Sequence, residues 1–357
     1  MINKSFDNLI DELKAIKLSG EEKSDILART FSVIESLSIP NSADKKFQPV
    51  TSPYSSAPWK IYFSSRKFVP SFMIVALLFA TGGASLAAEA SLPGDSLYGL
   101  KVNINEEVRN LTAVSAESKA RVAVEATERR LQEVATLSAR GQLSEEKKAI
   151  VQAQFNKRST QIKTQVASLV SQNNLTAAQE ISVNYESSLK AHEIILEKIS
   201  SDSLSENKDQ HLAEFISTVK TEIATTTVSR VDIQQKEALA TTDPKATAEI
   251  KLKELRNQTD IVLNLREESK SQLSSTTAAL VAGNIAEAQV LTIKAEGYIA
   301  SSSYSNAILS IQQASSLFSD AESAITTEAG LDYDVKKVIN GEQATATSTA
   351  STTISII

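Results

Sequence analysis

The distribution of proline and glycine is the feature that most constrains the fold of this chain. Six of the seven prolines lie at or before Pro93, and only five glycines follow Gly99. Proline breaks helix interiors and glycine weakens them. A stretch of more than 250 residues with so few of either therefore predicts long helices. We expect an all-α fold with a bundle of long antiparallel helices, packed as coiled-coil-like hairpins.

A charge-free window precedes this helical region. No ionisable residue occurs between Lys67 and Glu89, which leaves residues 68–88 as an uncharged segment of 21 residues. As a helix this segment would be about 30 Å long, which matches the hydrocarbon core of a bilayer. The window therefore predicts a single transmembrane helix. Basic and aromatic residues on its N-terminal side are typical of membrane-flanking anchors: Trp59, Lys60, Tyr62, Arg66 and Lys67.

The charges on the two sides of the window predict its orientation. The part before the window has a net charge of +2 and the part after it has −8. Because basic residues are retained in the cytoplasm, we expect a cytoplasmic N-terminus and an extracytoplasmic C-terminal region at the cell membrane. Two alternatives stay open, namely a buried helix of a soluble domain and a signal peptide cleaved after Ala90. A cleaved signal would have an unusually long leader of 67 residues, which favours an uncleaved anchor.

The remaining segments divide at changes of composition. Residues 1–37 carry two amphipathic stripes, which predict a cytoplasmic helical hairpin. Residues 38–67 are rich in proline and serine and predict a flexible, basic juxtamembrane linker. Residues 341–357 consist mainly of Thr, Ser and Ala, which predicts a disordered tail. The hairpin either binds a cytosolic partner or merely retains the N-terminus inside the cell.

Turn and capping signals give the boundaries of the outer helices. Pro93-Gly94 predicts a turn, Asp95 is placed to cap the next helix, and Leu97 and Tyr98 can dock that helix on a core. Capping signals predict further helix starts, and Gly283 is expected to separate the last two helices. These starts are at Ser115, at Ser144, near Thr176 and at Asp243-Pro244.

A ladder of alternating charges marks the first long helix. Its members recur at every fourth residue, which predicts a solvated helix face. They are Glu117, Arg121, Glu125, Arg129 and Glu133.

Three motifs resemble those of a bacterial membrane-anchored family of unknown function. They are LPGDSLYGLK at 92–101, NEEV at 105–108 and ATERRLQEV at 126–134. The family has an extracytoplasmic LPGD-x-LY-x-x-K opening after a membrane helix, then an A-x-E-R-R-L-x-E helix, and is frequent in candidate-phylum bacteria. The resemblance covers about residues 12–145, including a family-like segment at 89–145; it implies a single-pass envelope protein but no activity. Beyond residue 145, capping signals and apolar stripes predict a helical bundle or hairpin array at 146–340. The matching residues are Pro93, Gly94, Asp95, Leu97, Tyr98, Lys101, Glu128, Arg129, Arg130 and Leu131.

Composition argues against several kinds of chemistry. The chain has no cysteine and two histidines, so cysteine-based zinc sites, thiolate nucleophiles and iron–sulfur clusters are excluded. A net charge of −6 argues against nucleic-acid binding. His192 lies on an apolar stripe, which predicts a buried histidine held by one hydrogen bond. We expect no cofactor, metal or catalytic residue, although Arg129-Arg130 can be imagined to meet an anionic envelope polymer.

These observations favour a non-enzymatic interaction or signalling module. Its layout is similar to that of transmembrane anti-sigma regulators, an analogy of layout alone. Its expected partners are the lipid bilayer, proteins of the envelope and cytosolic proteins, with oligomers formed through the helices as a further possibility. A structural or adhesive envelope spacer is the alternative, and an envelope enzyme or solute-binding protein is a weaker one.

Overall fold

The computed structural model describes residues 87–202 and 210–340. These residues form helices joined by turns, without strands. The predicted hairpin at 1–37, the linker at 38–67, residues 68–86 of the window and the tail at 341–357 lie outside the described residues, as do all five membrane-flanking anchors. No helix within the described ranges is sufficiently long and apolar to cross a bilayer. The predictions for the other segments therefore stay predictions.

Short helical pieces open the described region and long helices follow. Residues 87–89 are helical. They are followed by α1 (Tyr98–Leu100), a π-helical stretch (Lys101–Asn105) and α2 (Glu106–Thr112). The long helices are α3 (Ala116–Ala139), α4 (Glu145–Ser171), α5 (Leu175–Asp202), α6 (Gln210–Ala240), α7 (Pro244–Ser269), α8 (Ser275–Ala300) and α9 (Tyr304–Ala329). The short helix α10 (Tyr333–Ile339) ends the described part. The predicted all-helical bundle is confirmed.

The predicted capping residues begin three of the long helices. The Ser115 hydroxyl accepts a hydrogen bond from the Ser118 amide at 3.0 Å, and Ser144 caps α4 in the same way. Asp243 accepts from the Ala246 amide at 3.0 Å, with Pro244 as the first residue of α7. These side chains satisfy amide groups that have no partner inside the helix.

Gly283 does not separate the last two helices, so that prediction is wrong. It lies inside α8, and the chain reverses instead around Ser302, which has a φ of 61°. A glycine inside a helix costs only about 1 kcal/mol. Val281 and Ile285 on either side of Gly283 are buried in the core, and their burial outweighs that cost.

The long helices pack as two groups that share a boundary. Helices α3 to α6 surround one apolar core, which includes Leu131, Phe155, Leu196 and Phe215. Helices α7 to α9 surround a second core, centred on Phe318. Helix α9 also packs along α5, and α10 returns to contact α3 and α5. The helices therefore form one continuous bundle rather than a string of separate hairpins.

A polar network fastens the two groups where α5, α6 and α9 meet. Lys190 Nζ lies 2.7 Å from Glu186 and 2.9 Å from Asp320. Arg230 Nε on α6 lies 2.6 Å from the same Glu186 carboxylate. Burial alone would raise the pKa of Glu186, but the hydrogen bonds from Arg230 and Lys190 hold it below its usual value. The charged form of Glu186 thus stabilises this junction.

Candidate functional site

The candidate site begins at a tight turn that carries the first part of the LPGD motif. The Asp95 amide donates to the Leu92 carbonyl at 2.9 Å, and Gly94 has a φ of +97°. Pro93 followed by a positive-φ glycine is the pattern of a type II turn. The predicted turn is therefore confirmed.

Asp95 does not cap a helix, so that prediction is wrong. Its carboxylate accepts from the Leu92 amide at 2.7 Å and closes the turn. Helix α1 begins only at Tyr98, and its N-cap Leu97 offers no side-chain hydrogen bond. The chain reversal brings the Leu92 amide to the carboxylate before any helix starts.

Behind the turn lies a set of ionised and polar side chains that we call the buried charge cluster. Helix α1, the π-helical stretch and α2 supply three members, α3 supplies two and α4 supplies one. All six are buried between the segment after the turn and the bundle. They are Tyr98, Lys101, Glu106, Arg130, Glu133 and Arg158.

Glu133 on α3 contacts three other members of the cluster, namely Tyr98, Lys101 and Arg130. Lys101 Nζ lies 2.7 Å from Glu133 Oε1, and Tyr98 Oη donates to Glu133 Oε2 at 2.9 Å. Lys101 also donates to the Ser91 carbonyl at 3.1 Å. Two residues of the LY-x-x-K motif are thereby attached to one carboxylate of α3.

Arg130 is the centre of the cluster. Its Nη2 lies 2.8 Å from Glu106 Oε1 and 2.8 Å from Glu133 Oε1. Its guanidinium carbon lies 5.5 Å from the centroid of the Tyr98 ring, within the range of a cation–π contact. Arg130 therefore ties α2 to α3 from a position that water does not reach.

Arg158 brings α4 into the same cluster. Its Nη2 lies 3.4 Å from Glu106 Oε2 and 3.3 Å from Glu107 Oε1. Lys157 Nζ also reaches Glu107, at 3.0 Å. Adjacent carboxylates at 106 and 107 thus contact one guanidinium, although the first is buried and the second is partly exposed.

Cations outnumber carboxylates in and around the cluster. Its three cations face two buried carboxylates; Arg129 also reaches Glu106, and the neighbouring Glu107 pairs with Lys157 as well as with Arg158. Burial raises the pKa of Tyr98, and the adjacent Glu133 raises it further. Burial also raises the pKa of Glu133, while Arg130 and Lys101 oppose that rise. The phenol stays neutral and the charged groups pair with one another, although Arg130 Nε and Nη1 and Arg158 Nε have no hydrogen-bond partner among the described residues. Removing one member of such a buried pair is strongly destabilising, so each member keeps the others in place.

Sequence reasoning anticipated only part of this cluster. Five of its six members lie in the motifs, including Glu106 and Glu133, but the ladder placed Glu133 on a solvated face. Only Arg158 was not singled out. Arg158 had a usable signal, because it lies three residues after buried Phe155 and four before buried Ile162. A charged residue on an apolar stripe needs a buried partner.

The predicted solvated ladder on α3 is correct at its start and wrong at its end. Arg121 and Glu117 form an exposed pair at 3.0 Å. Glu133, in contrast, is buried, and Arg129 Nε lies 3.3 Å from buried Glu106. The cause is geometric, because a four-residue step advances about 40° beyond one full turn. Four such steps carry the ladder to nearly the opposite face of the helix.

The other motif residues have different environments. Leu131 lies in the apolar core, and Pro93 is buried beside the turn. Glu128 faces α5, and burial raises its pKa. Arg130 is 0% exposed, so the suggestion that Arg129-Arg130 meets an anionic polymer is wrong for Arg130.

His192 is buried, as predicted. Its Nδ1 lies 2.9 Å from the Ser188 carbonyl, one turn earlier on α5. Burial lowers the pKa of His192 to about 4, so the ring is neutral at physiological pH. Its Nε2 has no hydrogen-bond partner.

One group of residues in the described ranges has the spacing of a metal site. The ligand atoms of Glu145, His211 and Glu214 lie within 4.8 Å of one another. Lys148 Nζ lies 2.8 Å from Glu145 and also bonds Glu214. The Lys148 ammonium group therefore already compensates the charge of the two carboxylates that would bind a metal cation.

An apolar groove opens between α4, α5 and α6. It encloses about 480 Å³. The hydroxyl of Thr226 is buried at this groove and has no partner. Its apolar lining includes Ile162, Val166, Val170 and Ile233.

Comparison with family models, curated proteins and solved structures adds no assignment to these features. No family model matches the chain, and no curated protein or solved structure gives a significant match.

Proposed function

We propose that this chain is a non-enzymatic, single-pass protein of the cell membrane whose outer helical bundle is an interaction or signalling module. Its N-terminus would lie in the cytoplasm and its bundle outside. The observation that carries the proposal is the buried charge cluster, because it fixes the segment after the charge-free window to the bundle. Lys101–Glu133 and Arg130–Glu106 are its two principal ties.

The end of the window itself is part of the folded unit. Ala88 is fully buried, and the Ser91 hydroxyl donates to its carbonyl at 2.6 Å. Glu89 accepts a hydrogen bond from Asn105 at 2.9 Å. If residues 68–88 cross the bilayer, the folded unit begins at the end of the anchor. A change in the bundle could then reach the anchor directly, as a signalling role requires.

The same contacts favour an uncleaved anchor. Cleavage after Ala90 would remove Glu89, which accepts from Asn105 and Arg109, and Ala88, whose carbonyl accepts from Ser91. An uncleaved chain keeps these contacts and keeps the bundle at the membrane.

The packing of the long helices supports an interaction module over a simple spacer. Helix α9 contacts both helix groups, and α10 folds back onto α3 and α5. A spacer gains reach from helices stacked end to end, whereas these helices lie side by side. The alternative of a structural or adhesive spacer is supported by helix length, since helices of 24 to 31 residues are about 36–46 Å long.

Topology can be tested with single cysteines, because the chain has none of its own. Val228→Cys lies at an exposed position on α6, and Ser5→Cys lies in the predicted cytoplasmic segment. A membrane-impermeant maleimide should label the first variant on intact cells and the second only after lysis. Equal labelling of both before lysis, or release of the protein by carbonate washing, would contradict the proposal.

Partners can be tested by crosslinking in native membranes followed by mass spectrometry. If the chain is an interaction module, crosslinking should reproducibly recover one envelope protein and one cytosolic protein. A bait of residues 1–58 should retain the cytosolic partner. If only envelope material is recovered, the spacer function is supported instead.

A further inference from the structure

The short helix α2 and the residues that flank it have an inverted amphipathic pattern, with Ile104 before the helix, Val108 and Leu111 on it and Val114 after it. Four apolar side chains, which we call the outward apolar stripe, face solvent. Their exposed fractions are 41% for Ile104, 54% for Val108, 74% for Leu111 and 89% for Val114. The charged Glu106 on the same helix is 1% exposed. These apolar side chains are exposed where the Glu106 carboxylate is buried, and Arg109 is exposed beside them. On a helix of a water-soluble bundle the apolar side chains face inward.

The spacing of these residues gives the two faces. At about 100° per residue, Val108 and Leu111 lie within about 60° of each other. Glu106 and Ala113, which are both buried, lie on the opposite side. The buried charge cluster holds the inner face, so α2 cannot rotate to bury the stripe without breaking the pairs of Glu106 with Arg130 and Arg158.

The position of α2 indicates what covers the stripe. Glu89 is the first residue after the charge-free window, and its Oε1 accepts from Asn105 Nδ2 at 2.9 Å and from Arg109 Nη2 at 3.2 Å. These two donors alternate along the helix with Ile104 and Val108. The outward apolar stripe therefore lies on the helix that contacts the exit of the window.

We infer that the outward apolar stripe lies in the interfacial layer of the bilayer, beside the point where the chain leaves it. This inference rests on the proposed membrane anchoring and adds a second lipid contact to it. Elements at this depth present apolar side chains to acyl chains and polar groups to protein or water. Together, the anchor and the stripe would set the bundle's orientation relative to the membrane plane.

The cysteine-free chain permits a direct test of depth. Full-length protein carrying Val108→Cys or Leu111→Cys is labelled with an environment-sensitive fluorophore and reconstituted into phosphatidylglycerol–phosphatidylethanolamine vesicles. The matched control is Val290→Cys, which is 64% exposed on α8. Nitroxide groups on the acyl chains of the vesicle lipids quench a fluorophore that contacts them.

We expect at least a twofold stronger quenching of the labels at 108 and 111 than of the label at 290, with a blue-shifted emission. Quenching equal to that of the control, in protein that floats with the vesicles, would overturn the inference and leave the anchoring intact. A blue shift that disappears when the protein is diluted in lipid would instead assign the stripe to a second copy, which also overturns it. Failure of the protein to float would overturn the anchoring proposal itself, together with this inference.

Discussion

Arg130 and Glu106 are 24 residues apart in the chain, yet their side chains pair at 2.8 Å with each 1% exposed. This pair joins the segment that follows the charge-free window to the first long helix of the bundle. Both residues also have a second charged partner, Glu133 for the arginine and Arg158 for the glutamate. The pair is therefore the point where α2, α3 and α4 are held together.

Replacing Arg130 by methionine should destabilise the bundle strongly. The substitution keeps the aliphatic volume but leaves two buried carboxylates without their shared cation. Removing one partner of a buried pair costs about 3–5 kcal/mol. Urea unfolding of the full-length protein in detergent, followed by circular dichroism, measures this cost.

Arg121→Met is the matched control, because it lies on the same helix and pairs with Glu117 and Glu180 at the surface. Exposed pairs contribute at most about 1 kcal/mol. If both variants lost the same stability, the buried charge cluster would not be the structural tie described above.

His192 should make the bundle less stable in mild acid. Its folded-state pKa of about 4 lies below the usual 6.5, so the unfolded chain binds the proton first as the pH falls. Stability due to neutral His192 is complete above pH 6.5 and is lost progressively toward pH 4. Between pH 7 and pH 4.5, the free energy of unfolding should therefore fall by about 2 kcal/mol less in His192→Leu than in the natural protein.

The measurement is the free energy of unfolding at each pH for both proteins. Carboxyl groups titrate in the same range, so the difference between the two proteins is the relevant quantity. Parallel curves for the two proteins down to pH 4.5 would rule out a buried neutral histidine.

Thr226→Val should stabilise the protein. The buried hydroxyl has no partner in the apolar groove, and valine has nearly the same shape. Removing an unsatisfied buried polar group should gain about 1 kcal/mol in unfolding free energy. Thr225→Val is the control, since Thr225 is exposed and its hydroxyl already bonds the Thr221 carbonyl. A loss of stability in Thr226→Val would show that the hydroxyl has a partner.

Two glycine-to-alanine substitutions should have opposite effects. Gly94 has a φ of +97°, and an added Cβ would lie 3.2 Å from Lys147 Cε. The backbone strain should cost about 1–2 kcal/mol. Gly283 lies inside α8 with open space around it, so alanine there should gain up to about 1 kcal/mol. Thermal unfolding shows whether each variant is less or more stable than the natural protein. A higher stability of Gly94→Ala would contradict the turn geometry.

Local patterns in the sequence predicted the features that depend on neighbouring residues. The caps at Ser115, Ser144 and Asp243 were found because a side chain and the amide it binds are three residues apart. The turn at Pro93-Gly94 was found because proline followed by glycine favours a turn locally. Asp95 was misassigned, because two local amides competed for its carboxylate and only the three-dimensional path of the turn decided between them.

Contacts between distant residues were not predictable in this way. The charge ladder on α3 gave no sign that Glu133 would be buried, because its partners Tyr98 and Lys101 lie more than 30 residues earlier. The inverted character of α2 was hidden as well. Its apolar and charged residues have the spacing of an ordinary amphipathic helix, and only the packing shows which face is inside.

The sequence by itself determined that this protein is helical and where several of its long helices begin, because proline, glycine and capping residues act over a few residues. Tertiary structure alone decided that the hairpins merge into one bundle, that a set of charges is buried at its start, and that α2 turns its apolar side outward. These outcomes depend on which surfaces meet, and on the cost of leaving a charge buried without a partner, which no local pattern contains.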